Sequence, residues 1–163
     1  MWATISFFLL SLAQQGVSPV TPSPTAHPVY VVEGRGVQIY DCGPQESKFV
    51  WVFRAPEAQL FDVATHEQVG THGAGPEWTW KDGSVVTGRV REKTPSPDAD
   101  SIPWLLLEAT PGKAGSGALS AIAWIRRSET HGGNAPATGC DAQHVGQSIR
   151  VPYTATYSFY GSK

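Results

Sequence analysis

The chain has 163 residues, 40% of them hydrophobic, and 12 Lys and Arg against 14 Asp and Glu leave a formal charge of -2. A near balance without runs of either sign provides no electrostatic footprint for phosphate backbones or anionic lipid, which argues against nucleic acid as a partner. The length suits one domain with a sizeable core, to which six tryptophans can contribute.

Residues 5–13 (ISFFLLSLA) are apolar but too short to span a bilayer, and Ser11-Leu12-Ala13 has the small-x-small form that signal peptidase accepts. Residues 1–13 therefore read as a signal peptide. A retained N-terminal anchor is the alternative, because residues 1–4 carry no Lys or Arg. Residues 14–28 follow as a proline-rich linker, in which Pro19, Pro22, Pro24 and Pro28 favour extended, unpacked backbone. A single all-β domain is expected over 29–163, without a membrane span in the mature protein. The expected location is secreted, either extracellular or in the periplasm or cell envelope. In such an oxidising compartment Cys42 and Cys140 most simply pair with each other, and Cys42 lacks the close companions a zinc site would want. Asn134 is followed by Ala135-Pro136, so there is no N-glycosylation sequon.

Helical periodicity is almost absent. Period-two and continuous apolar runs recur between Gly, Pro and Asp, which predicts short strands over 29–32, 37–42, 49–54, 59–63, 68–72, 77–81, 84–92, 104–109, 118–127 and 150–160. Such a pattern implies an all-β fold, either an antiparallel β-sandwich or a closed β-barrel, with one disulfide. Residues 49–53, 104–107 and 119–125 are apolar on both faces and read as central strands. That reading gathers Trp51, Phe53, Trp104, Leu106, Ile122, Trp124 and Tyr157 into one core. In the last strand Val151, Tyr153, Ala155, Tyr157 and Phe159 share one face, with Thr154, Thr156 and Ser158 opposite. Asp82-Gly83 predicts a two-residue turn. In that turn Trp80 faces Val85 and Trp78 faces Thr87, both indoles share a face with Arg89, and Thr79 and Val86 take the other.

Trp78 and Trp80 offer a flat platform for a sugar or other planar ligand, with Arg89 at its edge and the His72 loop beside it; burial of both indoles is the competing outcome. A second candidate is a metal site of His72, Asp141 and His144, an imidazole and carboxylate set suited to zinc or copper. The carboxylates of Glu57 and Asp62, or of Asp98 and Asp100, are close in sequence, but acid–base work needs opposed groups across a cleft. Residues 112–117 fit neither a phosphate loop nor a nucleophile elbow, and no Gly-rich turn between strand and helix serves a nicotinamide cofactor. No cofactor is expected. Non-catalytic binding of a surface glycan or small ligand leads, ahead of a metal-binding protein or metalloenzyme and of a structural envelope protein.

Five phrases in order, at 51–62 (WVFRAPEAQLFD), 72–78 (HGAGPEW), 102–109 (IPWLLLEA), 132–146 (GGNAPATGCDAQHVG) and 150–160 (RVPYTATYSFY), together resemble a secreted family of bacteria and filamentous fungi known as a domain of unknown function, DUF3455. The resemblance covers nearly the whole mature domain and implies membership, but it carries no activity to any residue. Two positions depart from the family pattern: Gly73, where relatives often have a bulky residue, and His131, where they often have a small or apolar one.

Overall fold

Gly34 and Gly36 separate two predicted strands, yet the chain runs through them without turning. In the computed structural model, which describes residues 20–22, 24–112 and 116–161, both belong to one strand, β1 (His27–Gln45). A Cβ at Gly36 would lie 2.0 Å from the Glu57 carbonyl oxygen, and one at Gly34 would lie 2.6 Å from a ring carbon of Tyr157. The glycines mark close approach inside a strand, not a break in it. Pro56 likewise does not end its strand, β2 (Lys48–Asp62). Arg54 is the extra residue of a β-bulge opposite Ile39 and Tyr40, and Pro56 sits just beyond it, before pairing with the next strand starts at Ala58. A missing N–H is tolerated there.

Six further strands complete the order: β3 (Gln68–Gly73), β4 (Glu77–Trp80), β5 (Val85–Thr94), β6 (Trp104–Pro111), β7 (Ile122–Gly132) and β8 (Ser148–Gly161), with no helix among the described residues. Each strand pairs antiparallel with the next, and β8 pairs with β1, so the sheet closes as a barrel. Of the two expected architectures, the barrel is the one formed. The β1–β2, β3–β4, β5–β6 and β7–β8 connections lie at one end. At the other end Asp82 Oδ2 accepts from Ala118 N at 2.7 Å and Ser84 Oγ from Leu119 N at 3.1 Å, which seats fully buried Leu119 in the core with Trp80, Val86 and Phe159. Residues 118–121, predicted as strand, are therefore a turn that plugs this end.

Closure also decides which apolar face counts. A barrel has a single interior, so strands that are apolar on both sides must expose one of them. Leu107 and Ile125 point inward with Tyr157 and Phe159, as the predicted alternation of β8 requires. Ile122 and Tyr157 join the main core cluster; Leu106 is buried, at 3% exposure, but outside that cluster, and Trp51, Phe53, Trp104 and Trp124 keep part of their surface exposed. Phe53 is 52% exposed, and the Arg126 guanidinium lies 5.5 Å from the centre of the Trp104 ring. The predicted single core is corrected accordingly.

The β4–β5 turn is wider than predicted. Trp80 N bonds to Ser84 O at 2.8 Å, and Asp82 Oδ1 accepts from both Ser84 N and Ser84 Oγ, so the turn takes the three residues 81–83 and Trp78 pairs with Val86. One residue of slip reverses the faces of β5. Val86 now accompanies the indoles inside, while Arg89 points outward and pairs with Glu108 at 2.8 Å.

The expected signal peptide at 1–13 and the first residues of the linker lie outside the described residues. Of the rest of that linker, Val20 and Pro22 are buried, and His27 and Pro28 already belong to β1. Cys42 and Cys140 form the expected disulfide, which ties the β7–β8 loop to β1.

Candidate functional site

β3 and β4 have six and four residues, whereas neighbouring β2 and β5 have fifteen and ten. The barrel wall is consequently low where the β3–β4 hairpin turns, and a cavity of about 340 Å³ opens there. All eight strands reach it. Leu105 and Leu107 of β6, Val90 of β5 and Phe53 and Pro56 of β2 make apolar walls and a rim; His72, Trp78 and Tyr157 make its aromatic side; Gln38, Arg54 and Arg127 bring polar groups.

His72 alternates inward with Trp78 because the two are paired across β3 and β4. Their rings stack at 4.3 Å with 9° between planes, and Tyr157 meets both edge-on. His72 Nδ1 lies 2.8 Å from the Glu77 carbonyl oxygen, which can only accept, so Nδ1 carries the proton and Nε2 is left as an acceptor without a hydrogen-bonding partner among the described residues. Burial drives the imidazole down from 6.5 to about 4, against the Glu77 hydrogen bond and with help from the nearby charge of Arg127. His72 is therefore neutral in the folded protein at pH 7.

This has a pH consequence. Because the folded value lies below the unfolded one, the unfolded chain takes up the proton first; the stability tied to neutral His72 is complete above pH 6.5 and is lost as pH falls through about 4. Acidification across that window is expected to cost about 3 kcal/mol through this residue alone. Urea unfolding at about pH 7 and 4.5 should show a smaller pH dependence in His72→Gln than in the wild type, and equal dependence in both would refute the assignment.

Arg127 is the feature that sequence reasoning missed. It stands opposite Tyr157 and Leu105 in the β8 and β6 ladders, so its side chain enters the barrel. Nε and Nη2 both donate to the Pro103 carbonyl, at 3.1 and 2.8 Å, which fixes the guanidinium plane. Beside it the Tyr153 and Tyr157 hydroxyls are 3.1 Å apart, and burial pushes both phenols up, so they stay protonated. Two buried donors facing this region have no hydrogen-bonding partner of good geometry among the described residues: Trp78 Nε1, and Gln38 Nε2, which approaches the Tyr153 hydroxyl without completing a bond.

The predicted sites separate accordingly. Trp78 and Trp80 are 1% and 7% exposed, so they form no open platform; Trp78 instead walls the cavity from within. Arg89 lies outside the barrel. The proposed metal trio does not assemble: Asp141 and His144 form a local pair at 2.7 Å in the exposed loop after the disulfide, His72 lies in the barrel, and no cluster of three His, Cys, Asp or Glu able to hold a metal forms among the described residues. A turn of three residues brings Asp141 and His144 together, whereas strand alternation commits His72 to the interior. A second groove, of about 540 Å³, crosses the outside of β1–β4, but its charged groups neutralise one another, as Arg150 and Glu57 do at 2.7 Å.

The family model described as Protein of unknown function (DUF3455) matches residues 22–161. The chain belongs to the DUF3455 family. The matched span takes in all eight strands of this DUF3455 barrel and every residue that lines the cavity. No curated protein and no solved structure matches the chain. No helix among the described residues is long and apolar enough to cross a membrane.

Proposed function

We propose that this DUF3455 domain is a secreted, non-catalytic binding module that holds a small, largely apolar ligand in the open end of its barrel. The observation that carries the reading is the cavity of about 340 Å³, built by every strand, largely apolar in its walls and supplied inside with donors that have no hydrogen-bonding partner among the described residues. Small-molecule sites have this constitution: concave, mostly apolar, with a few placed polar groups. Barrel mouths are a common place for them. The apolar N-terminal run and the disulfide support secretion, since disulfides persist in oxidising compartments.

Val90 stands at the rim and is 48% exposed, so enlarging it narrows the entrance with little burden on the fold. The neutral fluorescent probe N-phenyl-1-naphthylamine is expected to bind the wild type saturably, one to one, and about tenfold more weakly in Val90→Trp at an unchanged melting temperature. Absence of saturable binding, or equal affinity in the two proteins, would overturn the reading.

A further inference from the structure

Resting on that binding reading, we infer that the cavity selects a small anion, a monocarboxylate with an apolar body, whose charged head is received by Arg127. Arg127 is half-buried and lines the cavity, yet it forms no ion pair with any carboxylate among the described residues. An arginine taken out of water is ordinarily paired, because an uncompensated charge in apolar surroundings costs several kcal/mol. Its two hydrogen bonds to Pro103 and its approach to the Tyr157 hydroxyl still leave N–H groups of the five-donor guanidinium to face a ligand.

The rest of the lining points the same way. Among the described residues no Asp or Glu lines the cavity, and Arg54 at the mouth adds a second positive charge, held only loosely by Asp41 at 3.6 Å. The unpaired Trp78 Nε1 and Gln38 Nε2 are both donors, on residues 1% and 2% exposed. A carboxylate brings acceptors for such groups, a cation would be repelled, and a neutral apolar molecule would leave the donors as they are. Phe53, Val90 and Leu105 then cover an apolar body. Both aromatic and aliphatic carboxylates present this chemistry.

Calorimetric titration with two matched pairs, 2-naphthoate against 2-naphthalenemethanol and decanoate against decanol, tests the inference on the full mature protein. The wild type should bind the acid of at least one pair about ten- to a hundredfold more tightly than its alcohol. Arg127→Met should bring the acid to the alcohol's affinity, and Arg127→Lys should keep part of the difference, because an ammonium retains the charge but not the fork. Melting temperatures measured in parallel monitor the loss of the Pro103 bonds. Should Arg127→Met fail to fold, the wild-type comparison together with Arg127→Lys decides. Acids and alcohols binding alike, or an acid preference that survives in Arg127→Met, would overturn the head-group assignment and leave the cavity reading intact. Failure of all four compounds to bind would overturn both.

Discussion

Replacing Phe159 with alanine is expected to lower stability by about 3–5 kcal/mol, the range for truncating a buried aromatic. Phe159 is fully buried, stands between Ile125 of β7 and Tyr30 of β1, and meets Trp78 and Trp80 edge-on at 6.3 and 5.9 Å. The plugged end of the barrel gives these rings no room to collapse into the vacated space. Phe53 supplies the contrast, since it is 52% exposed and touches one ring, that of Tyr40. Phe53→Ala should cost about 1 kcal/mol or less. Urea denaturation of the two variants reads the difference directly, and comparable losses would mean that the strand faces are wrongly assigned.

Removing the disulfide, as Cys42→Ala with Cys140→Ala or by reduction, should destabilise the domain by about 2–5 kcal/mol, because the bond closes a long loop in the unfolded chain. The sequence separation is 98 residues. The native barrel should survive the change. Trp51 Nε1 donates to Thr138 O at 2.9 Å, Tyr40 Oη to Gly133 O at 2.6 Å, and Cys42 exchanges backbone bonds with Gln147 and Gly146, so the β7–β8 loop stays docked on β1 and β2. An oxidised and a reduced sample that melt at the same temperature would show that the two cysteines are not joined.

Part of the candidate site was legible in the chain. His72 and Trp78 were singled out from their hairpin, and both line the cavity. Arg127 and Gln38 escaped, although a signal existed: Arg127 shares its period-two phase with Ile125, and Gln38 shares its phase with Val32, residues that are both fully buried. A polar side chain in step with core residues must enter the barrel with them. The signal was hidden because residues 122–125 are apolar in both phases, so alternation alone did not say which face was inner. Arg89 was chosen instead, from a turn counted one residue too short.

From the sequence alone came the β class, the inner face of the last strand, the pairing of its only two cysteines and the likeness to DUF3455. Each of these depends on local alternation, composition or a choice with one simple answer. The tertiary structure alone decided that the sheet closes, that Gly34, Gly36 and Pro56 lie within strands, and that Trp104 and Trp124 stay outside while Arg127 goes in. Those outcomes turn on register and on contacts between distant strands. A barrel has one interior, and a slip of one residue exchanges every inward side chain for its neighbour.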